Sequence, residues 1–222
     1  MKIIGHRGAA GLALENSRSS LLAAIEQGVD MIEFDVRLTA DDHLVVIHDK
    51  ATGRVSEDIR TVREQTLTEL HEFGLSNGED LLTLDEALDV IGATPVIIEL
   101  KDKQSVDELL LVLERHPNAQ PSVASFDHDE LRQVRRVLPK VPIYVLEHYG
   151  PIDIIHSAHN LHATGIGLNK WLMNPLTYQM AKHYKLEIYL YTVNGPVLAR
   201  FLKLFYPDIS LCTDRPERFI TR

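Results

Sequence analysis

Residues 31–49, MIEFDVRLTADDHLVVIHD, begin as an apolar strand and then interrupt it with charge. Glu33 and Asp35 lie two residues apart among apolar neighbours, and a second apolar burst, LVVI, ends on His48 and Asp49. Side chains alternate along a strand, so the two carboxylates point to one side of it. Ionised groups inside such a run are costly unless something pairs with them. The pattern recurs at residues 97–101, IIELK, with Glu99 and Lys101, and at residues 5–8, GHRG, with His6 and Arg7. In each case the chemistry stands where an apolar run stops.

Working outward from this stretch, short β-branched runs recur at 2–6, 31–36, 95–100, 122–125, 142–147, 164–168, 187–193 and 209–213. Helical patterns lie between them. Thr83 with Glu86, and Ser105 with Glu108, have the spacing of capping boxes, and Asp127 stands three residues before Glu130. Asn174 precedes Pro175, Asn194 and Gly195 precede Pro196, and Gly28 closes the helix that starts near Ser17. The longest irregular stretch, 50–77, is expected to hold one helix within residues 61–73. Eight strands alternating with helices predict an α/β fold, a single-domain (β/α)₈ TIM barrel over residues 1–222. A doubly wound sheet is the competing architecture, because alternation alone does not separate open from closed.

The composition is ordinary for a globular chain, with 45% hydrophobic and 25% charged residues. A formal net charge of −9 argues against a general nucleic-acid binder and repels any anionic substrate, so such a ligand needs local cations or a metal. No run is long and apolar enough for a transmembrane helix, and the start, MKIIGHRG, lacks a secretory signal. Cys212 is the only cysteine, which rules out an intrachain disulfide. The expected location is cytoplasmic.

Strand C-terminal ends of a barrel face one mouth. There Glu33, Asp35 and Glu99 would repel one another unless a cation lay between them. All-oxygen ligation favours Mg²⁺ or Ca²⁺ over zinc. Arg7 and Lys101 beside that metal would cradle phosphate, and His6 and His48 could supply base and acid. Together these groups describe phosphodiester cleavage.

The order GHRGA, ENS, EFDV, IHD, ELK and YTVN, ending near CTDRP, resembles the glycerophosphodiester phosphodiesterases over almost the whole chain. The resemblance implies a barrel, metal ligands Glu33, Asp35 and Glu99, an acid/base pair His6 and His48, and phosphate binding by Arg7 and Lys101. It implies hydrolysis of a small-molecule glycerophosphodiester to sn-glycerol 3-phosphate and an alcohol, with His6 as base or nucleophile and His48 as acid. Tyr191 and Asn194 would line the substrate pocket. Three positions depart from the family pattern: Leu14 replaces the usual Pro, Ser17 the usual Thr, and Tyr191 the usual Trp. Competing readings are a Schiff-base aldolase built on Lys101, a non-catalytic phosphate-binding barrel and a lysophospholipase D-like phosphodiesterase.

Plainer roles compete at single positions. Glu15 and Asn16 read as residues that fix the start of the first helix, Asp49 as an orienting residue, and Cys212 as core. Trp171 either covers the mouth or packs inside. His156, His159 and His162 are spaced by three, which spreads them over about 120° of a helix face, too wide for one tight metal site.

Overall fold

The computed structural model describes residues 1–147, 150 and 152–220. Nine strands are seen among them: β1 (Ile3–His6), β2 (Met31–Leu38), β3 (Leu44–Val46), β4 (Val96–Leu100), β5 (Pro121–Ser125), β6 (Ile143–Glu147), β7 (Gly165–Asn169), β8 (Glu187–Tyr191) and β9 (Ser210–Thr213). Eight of them pair in parallel in the order β1-β2-β4-β5-β6-β7-β8-β9, and β9 returns to pair with β1. The sheet is therefore closed, and the doubly wound alternative falls. All eight expected strands are present. The ninth, β3, is the second apolar burst of the opening stretch; it folds back antiparallel on the end of β2, with Val36 opposite Val46.

Eight helices accompany the strands: α1 (Arg18–Gln27), α2 (Leu67–His71), α3 (Leu84–Ile91), α4 (Val106–Arg115), α5 (His128–Val137), α6 (Asp153–Asn160), α7 (Pro175–His183) and α8 (Pro196–Phe205). Several start signals act as expected. Thr83 and Glu86 form a reciprocal capping box, Asn174 accepts from the Thr177 N–H, and Gly28 closes α1 with a left-handed φ of 77°. A further capping box, Thr66 with Glu69, starts α2, which is shorter than the helix expected at 61–73 because a 3₁₀ turn takes Val62–Glu64.

Ser105 departs from its expected role. It makes no side-chain cap; its hydroxyl donates to the Asp102 carbonyl instead. The buried carboxylate of Glu130, on α5, accepts from the backbone N–H groups of Gln104 and Ser105 and satisfies the start of α4 from outside.

Strand alternation divides the interior in two. Outward residues such as Ile32, Phe34, Val36, Ile98, Ile188 and Leu190 join the helices in the main core. Inward residues form a smaller cluster inside the barrel: Ile4, Ile97, Ala124, Tyr144, Leu146, Tyr189 and Cys212. The same inward parity carries His6, Glu33, Asp35 and Glu99 towards the mouth. Residues 50–82 pack beside the barrel on their own apolar cluster, in which Val55, Val62, Leu70, Leu75 and Leu81 meet Val45 and Ile47.

Candidate active site

At the mouth, a cavity of about 370 Å³ is lined by His6, Arg7, Glu33, Asp35, His48, Glu99, Lys101, Phe126, Tyr189, Tyr191 and Cys212. Eight of the nine residues expected at a site therefore share one wall. Its floor depends on a glycine: a Cβ at Gly167 would lie 2.4 Å from the Tyr189 ring, so only Gly leaves that ring its place beneath the carboxylates.

The first turn after β1 is built by backbone. Arg7 (φ 51°) and Gly8 (φ 81°) both adopt the left-handed region, and a Cβ on Gly8 would meet Ser20 Oγ at 2.4 Å. This turn aims the Arg7 backbone N–H at Glu33 Oε2, 3.0 Å away. The Arg7 guanidinium donates to Glu15 Oε1 at 2.7 Å, and its Nε, 3.4 Å from Asp35 Oδ2, has no hydrogen-bond partner.

Glu33, Asp35 and Glu99 are all buried, and each offers an oxygen within 4.8 Å of the others. Burial, reinforced by Asp35, raises the Glu33 carboxyl and lifts Glu99 to about 8 against the pull of Lys101. Burial acts on Asp35 in the same sense but is outweighed by Lys101 and Arg7, which hold it at about 2. The Lys101 ammonium donates to Glu99 and lies 3.0 Å from Asp35 Oδ1. Two buried carboxyls resisting ionisation beside a third are a donor set that a hard divalent cation fits, since it would stabilise all three charged forms at once.

Both imidazoles are held by carboxylates. His6 Nδ1 is 2.6 Å from Asp214 Oδ1, and His48 Nδ1 is 2.7 Å from Asp49 Oδ1. In each ring this leaves Nε2 as the free nitrogen. Burial pulls the His6 pKa down, but Asp214 and Glu33 outweigh it and the net shift is upward. At His48 burial prevails, with Lys101 and Arg7 adding to it against Asp35 and Asp49, and the net shift is downward.

Asn194 is not on the cavity wall. Its Nδ2 donates to Asp214 Oδ2 at 2.6 Å, and its Oδ1 accepts from Thr213 Oγ1 and the Asp214 N–H. It stands behind His6 and braces that ring's carboxylate. Tyr191 does line the cavity, and its buried hydroxyl has no hydrogen-bond partner. Asp214 was not singled out from the sequence; its signal was the CTDRP segment closing the last strand. Asn16, expected to fix the start of the first helix, does not cap it: Ser17 is the cap of α1, and the buried Asn16 amide donates to Asp35 Oδ2 at 3.0 Å. Glu15 likewise belongs to the Arg7 network. Trp171 is 77% exposed, which excludes inside packing. His159 stacks on Tyr184 at 4.7 Å, and among the described residues the histidines of α6 join no metal-binding group.

The glycerophosphoryl diester phosphodiesterase family model matches residues 6–218. The chain belongs to that family. The family's reaction class, phosphoric diester hydrolysis, is the enzyme class expected from the motifs. A glycerophosphodiester phosphodiesterase of Caldanaerobacter subterraneus subsp. tengcongensis is 29% identical, covering 98% of this chain and 96% of that protein. A glycerophosphodiester phosphodiesterase of Parabacteroides distasonis superposes with a TM-score of 0.82 at 28% identity, covering 97% of this family member and 93% of that chain. An Oleispira antarctica phosphodiesterase, solved with the product sn-glycerol-3-phosphate, superposes with a TM-score of 0.92 at 23% identity over 98% and 94% of the two chains. No helix among the described residues is long and apolar enough to cross a membrane.

Proposed function

We propose that this chain hydrolyses glycerophosphodiesters to sn-glycerol 3-phosphate and a free alcohol with the help of a divalent cation, Mg²⁺ or Ca²⁺. The observation that carries this reading is one cavity with two carboxylate-held imidazoles, three carboxylates and two cations on its walls. Glu33, Asp35 and Glu99 would hold the metal, which when bound supplies Lewis-acid polarisation of the phosphate. Arg7 and Lys101 neutralise the anion. Tyr191, on the cavity wall, would border the glycerol or alcohol portion.

His6, made more basic by Asp214, takes the proton from the glycerol hydroxyl next to the phosphate ester as that oxygen attacks phosphorus. His48, made more acidic by burial, gives its proton to the departing alkoxide. The two environments set the imidazoles apart in proton affinity, His6 higher and His48 lower, and this division of roles requires His6 neutral and His48 protonated in the reacting complex. Water then opens the resulting cyclic phosphate with the two roles exchanged. The cavity also speaks against the aldolase reading, because Lys101 is held protonated: burial pulls its pKa down, but Asp35 and Glu99 outweigh this and the net shift is upward.

The test is direct. Pure protein is incubated with glycerophosphocholine and glycerophosphoethanolamine, with and without chelator, and glycerol 3-phosphate is measured. Metal-dependent release from both is expected. Release undiminished by exhaustive chelation would remove the metal from the reading, and no release with added Mg²⁺ or Ca²⁺ would remove the substrate class.

A further inference from the structure

Arg54 lies outside the cavity wall, on the 3₁₀ turn Thr52–Arg54 that follows β3. That turn is pinned by the buried Thr52, whose hydroxyl accepts from the Arg60 N–H at 2.9 Å and donates to the Asp58 carbonyl. Arg54 Nε donates to Asp49 Oδ2 at 2.5 Å, and its Nη1 donates to Glu15 Oε2. The other oxygen of each carboxylate is also engaged. Asp49 Oδ1 holds His48, and Glu15 Oε1 accepts from Arg7. A continuous line of alternating charge therefore runs His48–Asp49–Arg54–Glu15–Arg7, joining one imidazole to one phosphate-facing cation.

An exposed ion pair by itself contributes little, and the Arg54 side chain is 42% exposed. This one differs in geometry: the planar fork uses two separate nitrogens on two separate carboxylates, each fixed at its far oxygen to a group of the cavity. We infer that Arg54 is a positioning residue for catalysis, the clasp that sets the His48 ring and the Arg7 guanidinium in register with each other. The catalytic part of this inference rests on the role proposed for His48 above.

The charged groups facing His48 are Asp35, Lys101, Arg7 and Asp49. Arg54 acts on it through Asp49, whose carboxyl is held well below its usual range chiefly by Arg54. Without Arg54, Asp49 becomes a better partner for the protonated ring, so the His48 pKa rises and the ring becomes a weaker acid.

The experiment compares Arg54→Met, Arg54→Lys, Asp49→Asn and the Arg54→Met/Asp49→Asn double variant of the full chain with Mg²⁺ present. Steady-state kinetics with glycerophosphocholine are measured alongside NMR titration of the His48 ring. In Arg54→Met, kcat/KM should fall at least tenfold, more through kcat than KM, and the His48 titration should move to higher pH. Arg54→Lys, a point charge without a fork, should recover only part of the rate. The double variant should lose no more than the worse single variant, because both act on one line of contacts. Multiplicative losses, an unmoved His48 titration or full recovery with lysine would each overturn the inference. The titration is read without turnover, so a protein inactive on glycerophosphodiesters would sink the proposed function while Arg54's effect on His48 is still decided.

Discussion

Glu33, Asp35 and Glu99 are three carboxylates at one place, but their surroundings make them unequal, and substitutions should separate them. Glu33→Gln and Asp35→Asn should each abolish turnover and weaken Mg²⁺ binding measured by calorimetry. In metal-free protein their stabilities should diverge. Glu33→Gln relieves a buried charge and should raise Tm, whereas Asp35→Asn deprives Arg7 and Lys101 of their shared partner and should lower it. Unchanged turnover in either variant at saturating metal would remove that ligand. Glu99 offers a sign that can be read in pH. Its folded pKa of about 8 lies above the ordinary carboxylate value, so between those two values the folded chain keeps a proton that the unfolded chain releases. Stability without metal must then fall as pH rises from about 5 to about 8. Glu99→Gln should flatten that slope in thermal melts with chelator present; an unaltered slope would mean that Glu99 ionises freely.

At the scale of elements, Glu130 ties two helices together. Its carboxylate on α5 receives both backbone donors at the start of α4, where Ser105 provides no cap of its own. Glu130→Ala leaves those N–H groups unsatisfied in a buried setting and should cost about 1–3 kcal/mol in urea unfolding, while Ser105→Ala should cost less. Equal losses would show that the Ser105–Asp102 bond matters as much. The same region marks where sequence reading stopped. Eight barrel strands and the caps at Thr83 and Asn174 were legible because they rest on local signals, periodicity and spacing. Glu130's reach to α4 and Asn194's bond to Asp214 span 25 and 20 residues and leave no local trace. Most of the site was legible for a related reason: its groups sit at fixed parity at strand ends. His6's partner was not, because it stands 208 residues away. Asn16's bond to Asp35 is hidden because a polar residue before a helix already has an adequate local explanation.

For the molecule as a whole, what matters is how little of residues 50–82 reaches the mouth. Residues 50–82 pack beside the barrel on their own cluster, and none of them lines the cavity. On the proposed function, the alcohol half of a diester would be left largely in water, where weak contacts discriminate poorly. Choline, ethanolamine and glycerol diesters should have kcat/KM values within about tenfold, a difference of about 1.4 kcal/mol. A hundredfold preference for one headgroup would contradict an open mouth. Bis(p-nitrophenyl) phosphate, which lacks the neighbouring hydroxyl, should be cleaved far more slowly despite its better leaving groups. Rapid cleavage would argue against attack by glycerol.

The closure of the sheet also bears on biosynthesis. β1 emerges from a ribosome before the other barrel strands, yet one of its neighbours is β9, and His6 waits for Asp214 from the segment that follows. Contacts so distant along the chain form late. A nascent chain halted before β9 would carry both histidines, both cations and all three carboxylates, but with β1 unpaired on one edge and His6 unbraced. Chains arrested near residue 200 should therefore be protease-sensitive and inactive, and competence should appear only once residues 210–214 have cleared the exit tunnel.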